Sequence, residues 1–326
     1  MSTPLDSDDA ALETALSRAG TGGKQFRPRL VHTIHDLLDG RAGGAVAQVA
    51  DAVELLHTAF LVHDDVIDGD DVRRGRPSAA GAFRSAATRA GASASGADSY
   101  ALTGAVLTGD LALADALRAV ATAPVPPSTV RRLLDLFDHA LRVSAAGELA
   151  DVRLSLGLEE PTMEEVLTMA EHKTAVYSFQ LPLQCGAVLA DASPEVVAGL
   201  GEIGRRVGVA FQLIDDLVGM FGTPEQTGKA AVSDLREGKR TPLIVHARTT
   251  AAWTTVRRHL GDPRLTEQDA ERVRAALRAG GSHAFVSDLA AEHLAAAARH
   301  TVALGLPAGL VERVGDVSGM LREGAA

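Results

Sequence analysis

VAQVADAVELLHTAFLVHDDVID, running from Val46 to Asp68, decides the fold. Its apolar residues Val49, Val53, Leu56, Phe60 and Ile67 recur at intervals of three, four and seven, the spacing of one helix face. The stretch is predicted as a single long helix whose far end carries Asp64, Asp65 and Asp68. Asp64 and Asp68 are one turn apart and share a face.

Helical periodicity continues on both sides, and persuasive strand signals are nearly absent. Three later helices announce their starts: Thr162 with Glu165 forms a capping box, Ser193 precedes Pro194 at the first helical position, and Thr266 precedes an acidic first turn. The helix after Ser193 is expected to run through Val209 and Leu213 to about Met220, where Gly222 and Pro224 stop it. Gly280-Gly281 reads as another helix end. Between Ser78 and Ser99 the composition shifts to Ala, Gly and Ser, which reads as a mobile loop, a poorly ordered insertion or a plain linker. No core pattern behind it marks a domain boundary, and no fixed-period repeat is present. The expectation is one all-α domain over residues 1–326.

Composition agrees. The 326 residues are 46% hydrophobic and only 3% aromatic, so the core must be built from Ala, Leu and Val, which favours close-packed helices over a sheet. A net charge of -10 argues against a general nucleic-acid binder but leaves room for a diphosphate held by local basic groups or a bridging cation. Cys185 is alone, cannot form an internal disulfide and suits a reducing compartment. No basic-then-apolar leader opens the chain, and no apolar run is expected to approach the ~20 residues of a membrane span. A cytoplasmic protein without a transmembrane segment is expected.

Two carboxylates held as close as Asp64 and Asp68 repel unless a cation sits between them. Hard oxygen donors favour Mg²⁺, which takes its remaining ligands from water and substrate phosphates. A solvated helix end is the plain alternative for this segment alone. A second segment, Phe211-Gln212-Leu213-Ile214-Asp215-Asp216, again sets two aspartates in an apolar helical run. Two such acidic helix faces are suited to cations that clamp a diphosphate. Basic residues accompany both: Arg73, Arg74 and Arg76 after the first; Lys229, Arg236, Lys239 and Arg240 after the second; Lys24, Arg27 and Arg29 behind Gly22-Gly23; and Lys173 between His172 and Thr174. Any one of these would read as a surface ion pair; together they are what two diphosphates need.

These residues resemble the trans-isoprenyl diphosphate synthase (polyprenyl synthetase) family. The matching pieces are Gly22-Gly23-Lys24-Gln25-Phe26-Arg27-Pro28, Asp64 to Asp68 running into Arg73-Arg74-Gly75-Arg76-Pro77, His172-Lys173-Thr174, Phe211-Gln212 with Asp215-Asp216, Gly228-Lys229, and Asp234 through Lys239. They occur in the family's order over roughly residues 20 to 245. The resemblance implies an antiparallel helical bundle around a central active-site cavity, usually a homodimer. It implies that Asp64, Asp68 and Asp215 coordinate three Mg²⁺ ions gripping an allylic diphosphate, with Asp65 and Asp216 supporting them. Arg73, Lys173, Lys229 and Lys239 would contact that diphosphate, with Thr174 and Gln212 at the reacting end. Lys24, Arg27, His57 and Arg74 would hold isopentenyl diphosphate. The implied reaction is ionisation, condensation and elimination, with no side-chain nucleophile. Phe60, one turn before Asp64, would partly floor the pocket beside small Ala59. That points to geranylgeranyl diphosphate (C20), with farnesyl diphosphate (C15) second.

The chain departs from the family pattern in places. Gly219 stands where a third aspartate is common, Gln25 where an arginine is usual, and Glu148 where many members have Gln; the tail from Leu321 to Gly324 is less basic than in some relatives. A class I terpene cyclase would share one acidic motif but not the Lys24/Arg27 site. A non-catalytic partner subunit of another synthase has Gly219 as its one support, and a purely structural helical protein would require every charged cluster to be incidental.

Overall fold

The computed structural model describes residues 4–23, 25–222 and 233–318. Lys24 and Lys229 therefore lie outside the described residues, as do Pro224, Gly228 and the tail from Leu321. The chain divides into two compact units. The first gathers the described residues up to His32 and those from Arg41 to Leu134. It contains α1 (Pro4–Ala19), the start of α2 (Phe26–Leu37), α3 (Gly44–Asp68), a hairpin of β1 (Val72–Arg73) and β2 (Arg76–Pro77), α4 (Ala79–Arg89), α5 (Ala94–Ala121) and the opening of α6 (Pro127–Ser155). The second holds Thr33–Gly40 and the described residues from Asp135 onward. It contains the rest of α6, α7 (Met163–Ala170), a π-helical segment (Glu171–Gln180), α8 (Leu181–Leu189), α9 (Pro194–Phe221), α10 (Ser233–Glu237), α11 (Pro242–Ala247), α12 (Trp253–Val256), α13 (Glu267–Ala279), α14 (Ser282–Ala303) and α15 (Leu310–Ser318). The fold is all-α, and the two-residue hairpin is the only sheet among the described residues.

Helix α3 forms as its periodicity predicts and buries Val49, Val53, Leu56 and Ala59 almost completely. Gly69, left-handed at φ 71°, ends it, its N–H donating to the carbonyl of Asp65. Ile67 is the exception to the predicted face: it is 48% exposed, because the last turn projects past the helices that cover the rest. The predicted capping box at Thr162/Glu165 is formed, Thr266 starts α13 ahead of its acidic first turn and closes a capping box with Asp269 that was not predicted, Ser193 caps α9 with Pro194 in its first turn, and Gly222 closes it. Gly280 ends α13, and Gly281, at φ 78°, opens α14.

The segment from Ser78 to Ser99 is not the loop its composition suggests. It forms α4 and the first turn of α5, with Ser78 accepting from the N–H of Gly81 at 3.0 Å and Ser93 from that of Gly96 at 3.2 Å. Alanine is the best helix former, and here it also lets helices approach closely. Ala101, Ala105, Ala112 and Ala116 of α5 are buried, and a Cβ at Gly104 or Gly109 would collide with the rings of Phe83 or His63. This small-residue packing is how a chain so poor in aromatics fills its interior.

The expectation that no apolar run reaches membrane-spanning length also needs correction. By length and composition α3 and α5 both qualify. The most apolar window of α3 is 61% buried within the protein and that of α5 39%. Core helices pass the same test, so the feature by itself places neither in a membrane.

Candidate active site

Gly69 turns the chain out of α3 and into the hairpin, where Val72 pairs with Pro77 and Arg73 with Arg76. The two turn residues, Arg74 at φ 54° and Gly75 at φ 71°, are both left-handed, as a two-residue hairpin with the native strand twist requires. Holding an arginine there costs on the order of 1 kcal/mol. The hairpin aims Arg73 back at the helix it came from. Its Nε donates to Oδ1 of Asp65 at 2.5 Å and its Nη2 to Oδ2 of Asp64 at 2.8 Å. Asp65 is buried, Asp64 half-buried and Asp68 exposed one turn further on. Burial raises the Asp65 carboxyl above the usual range, and Arg73 opposes that rise. Asp65 thus acts chiefly as an anchor for Arg73, while Asp64 and Asp68 present oxygen donors at the helix end.

The neighbouring arginine serves the glycine loop. A Cβ at Gly23 would lie 2.6 Å from Nη1 of Arg74 and oblige the guanidinium to shift, and the left-handed backbone there, at φ 79°, favours glycine in its own right. Arg27, in the first turn of α2, is buried with its guanidinium 4.5 Å over the Phe26 ring. His57 on α3 senses both arginines. Burial first, then Arg27, Arg74 and Arg73, push its imidazole well below the ordinary 6.5. It is therefore neutral near pH 7, able to donate from one ring nitrogen and accept at the other. Of the residues expected to hold isopentenyl diphosphate, Arg27, His57 and Arg74 share this electrostatic neighbourhood.

Glu54 was not singled out from the sequence. It lies three residues before His57, on the same side of α3. Burial raises its carboxyl, Arg27 and Arg74 oppose the rise, and its buried Oε2 accepts no hydrogen bond among the described residues. The available signal was the i, i+3 spacing to His57.

In the second unit, Lys173 and Thr174 stand on the π-helical segment, a distortion frequent at functional sites. Glycines allow the close packing: a Cβ at Gly147 of α6 would strike the backbone nitrogen of Lys173, and one at Gly208 of α9 would strike Ala175. Nζ of Lys173 donates to Oε1 of Glu148 at 3.0 Å and to Oδ2 of Asp151 at 2.7 Å. Glu148, which departs from the family pattern, is thereby half of a two-carboxylate clamp, and Asp151 is a second residue the sequence did not reveal. Thr174 Oγ1 donates to Oε1 of Gln212 at 3.1 Å, and Nε2 of Gln212 donates to Oδ1 of Asp216 at 3.0 Å. Asp215 is exposed beside this chain of hydrogen bonds. Lys239 pairs with Glu237 at 3.0 Å.

Among the described residues, no group of three or more His, Cys, Asp or Glu side chains is gathered to hold a metal by itself. The donors present are hard carboxylate oxygens in pairs, at Asp64 with Asp68 and at Asp215 with Asp216. Mg²⁺ typically takes one or two carboxylates and completes its octahedron with water and phosphate oxygens. The donor set fits that ion, provided a phosphate substrate is bound with it.

Residues 9–278 match the family model of polyprenyl synthetase. The chain is 33% identical over 281 residues to geranylgeranyl diphosphate synthase of Mycobacterium tuberculosis, a match covering 81% of this chain and 71% of that one. It is 31% identical over 263 residues to octaprenyl diphosphate synthase of Escherichia coli, covering 80% and 69%. In structure it is similar to geranylgeranyl pyrophosphate synthase of Corynebacterium glutamicum, solved in complex with isoprenyl diphosphate and magnesium. The TM-score is 0.84 at 27% identity, covering 99% of this chain and 91% of that one.

Proposed function

Because the chain belongs to the polyprenyl synthetase family and is a prenyltransferase, a trans-prenyl diphosphate synthase, we propose that it condenses isopentenyl diphosphate with allylic diphosphates to make the C20 product, geranylgeranyl diphosphate. The observation that carries this reading is the hairpin: one arginine, Arg73, is tied to the acidic end of α3, and the next, Arg74, packs on the Gly22-Gly23 loop. One short element thus offers a cation to each of two diphosphates.

Asp64, Asp68 and Asp215 would hold Mg²⁺, three ions in all. When bound, Mg²⁺ supplies positive charge that stabilises the departing diphosphate. Arg73, Lys173, Lys229 and Lys239 would bind the oxygens of the allylic diphosphate and stabilise the negative charge that appears there on ionisation. Thr174 and Gln212 orient the reacting end. Lys24, Arg27 and Arg74 grip isopentenyl diphosphate, with neutral His57 as a hydrogen-bonding partner. The allylic C–O bond breaks with its electron pair leaving on diphosphate. The isopentenyl double bond then forms the new C–C bond at the allylic carbon, and a proton passes to the released diphosphate. No protein nucleophile is consumed.

Product length follows from Phe60, half-buried and one turn, ~6 Å, before Asp64, next to fully buried Ala59. One aromatic and one small residue leave depth for C20; a floor higher in the cavity would stop at C15. A homodimer accounts for the exposed apolar side chains Leu102, Val106, Leu107 and Leu111 on α5, which a second copy would cover.

The test is a pair of variants, Asp64→Asn and Asp215→Asn, assayed with isopentenyl and geranyl diphosphates in Mg²⁺. Each is expected to lower kcat by about 10²–10³ while the helical circular dichroism stays unchanged. Full activity in both would overturn the assignment of these carboxylates.

A further inference from the structure

Helix α9 carries Gln212, Asp215 and Asp216 and ends at Phe221, about one and a half turns beyond Asp216. The last carbonyls of a helix find no N–H within it to accept from. Here the N–H of Gly222 takes the carbonyl of Val218 at 2.7 Å. The carbonyl of Met220 is taken from outside: Nε of Arg274, on α13, donates to it at 2.7 Å. Arg274 is only 7% exposed, a rare place for an arginine. Its Nη1 donates to Oε1 of Glu267 at 2.7 Å and to Oε2 of Glu271 at 3.0 Å, both on α13 itself. Packing brings it there, since Ala270, Val273 and Leu277 of α13 share one buried core with Leu213 and Met220 of α9. One turn further along α13, the guanidinium of Arg278 lies 4.7 Å over the ring of Phe221.

The helix end held in this way is weak by itself. Gly219 stands in its last turn, and glycine is among the poorest helix formers. The acidic pair lies toward the end at which the peptide dipoles are negative, where a cation is the favourable partner. The anchor is also continuous with the site. In the helical ladder the Met220 N–H donates to the carbonyl of Asp216. The Asp216 side chain accepts from Gln212, and Gln212 accepts from Thr174.

We propose that Arg274 is a positioning residue for the second acidic motif: it keeps the last turn of α9 wound and so holds Asp215 and Asp216 in place before any ion binds. The inference rests on the Mg²⁺ role given above to Asp215. Without Arg274, the binding of Mg²⁺ and diphosphate has to wind that turn, and the apparent affinity falls by the cost of doing so. The ion requirement rises, whereas the loaded enzyme turns over as before.

The experiment compares the wild type with Arg274→Gln and with Glu267→Gln/Glu271→Gln, which removes the ion pairs of Arg274 and leaves its bond to Met220. Deuterium uptake at the amides of residues 217–222 is followed without metal, and again with Mg²⁺ and inorganic diphosphate. Mg²⁺ titration of the condensation rate gives the half-saturating concentration and the limiting kcat. In Arg274→Gln the metal-free amides are expected to exchange about tenfold faster, with slow exchange restored by Mg²⁺ and diphosphate. Half-saturation is expected to rise about three- to tenfold, with the limiting kcat within about twofold of the wild type. The double glutamine variant is expected to match the wild type in both readouts. Arg274→Lys keeps the buried charge but not the planar fork. It is expected to show a smaller shift of the same kind, and it carries the comparison if Arg274→Gln does not fold. An unchanged Mg²⁺ requirement in the folded variant, faster exchange spread evenly over α9 and α13, or an equal rise in the double glutamine variant would each overturn the proposal. If even the wild type fails to condense, the exchange measurement decides alone. Fast exchange confined to residues 217–222 and suppressed by Mg²⁺ with diphosphate would then support the anchor and sink the catalytic reading.

Discussion

Nε of Arg73 donates to Oδ1 of Asp65 across 2.5 Å, tying the arginine-rich hairpin to the last turns of α3. Asp65 is only 3% exposed, so this carboxylate has been taken out of water and depends on that partner. Arg73→Ala is expected to destabilise the protein by about 2–4 kcal/mol, because it strands a buried charge. Adding Asp65→Asn to the same chain should recover part of the loss. Urea unfolding of the two variants measures both effects; a change below about 0.5 kcal/mol in Arg73→Ala would mean that the hairpin is held by something else.

Gly23→Ala tests the glycine loop. The new methyl must displace the Arg74 guanidinium and adopt a positive φ, at a cost of about 1–2 kcal/mol. The expected kinetic signature is a rise of about tenfold in KM for isopentenyl diphosphate, with KM for the allylic partner little changed. An equal rise for both substrates would show that Arg74 is not dedicated to one of them.

Glu148→Gln loosens the clamp on Lys173 without removing Asp151. The ammonium is then less neutralised, and KM for the allylic diphosphate is expected to fall by a factor of about two to five. Stability should change by less than about 1 kcal/mol, since these side chains are partly exposed. A weaker allylic interaction in Glu148→Gln would instead make Glu148 a residue that positions Lys173 for binding.

His57 is neutral in the folded protein, its pKa depressed by burial and then by Arg27 and Arg74. In the unfolded chain it titrates near 6.5. The folded state therefore holds its full contribution above 6.5 and loses it as pH falls through the depressed value. His57→Gln should flatten the fall in Tm between about pH 8 and about pH 5.5. Parallel Tm curves for wild type and variant would show that His57 does not carry this pH dependence.

Much of the architecture is legible in the sequence where the chemistry is local. Helix α3 follows from the spacing of Val49, Val53 and Leu56, and the starts of α7, α9 and α13 follow from capping residues three positions from their partners. What escapes depends on neighbours distant in sequence. The residues from Ser78 to Ser99 carry little hydrophobic signal, because Ala79, Ala80 and Ala87 gain their value from burial against neighbouring elements, and Gly81 from how closely the Asp71 carbonyl approaches it. The charged motifs mark Arg73 and Lys173 but not their anchors. Asp65 appears as one of three aspartates until its burial is seen, and Glu148 and Asp151 meet Lys173 only because the π-helical segment brings it against α6. Ile67 keeps the helical phase yet faces solvent, since periodicity says which residues share a face and not how far along the helix that face is covered.

The most direct measurement is product analysis of the purified chain given isopentenyl diphosphate with dimethylallyl, geranyl or farnesyl diphosphate, with Mg²⁺ and with a chelator. A condensation product that forms only with Mg²⁺ and ends at C20 is the expected result. A stop at C15 would keep the reaction and raise the floor above Phe60, whereas no condensation from any of the three primers would contradict the account.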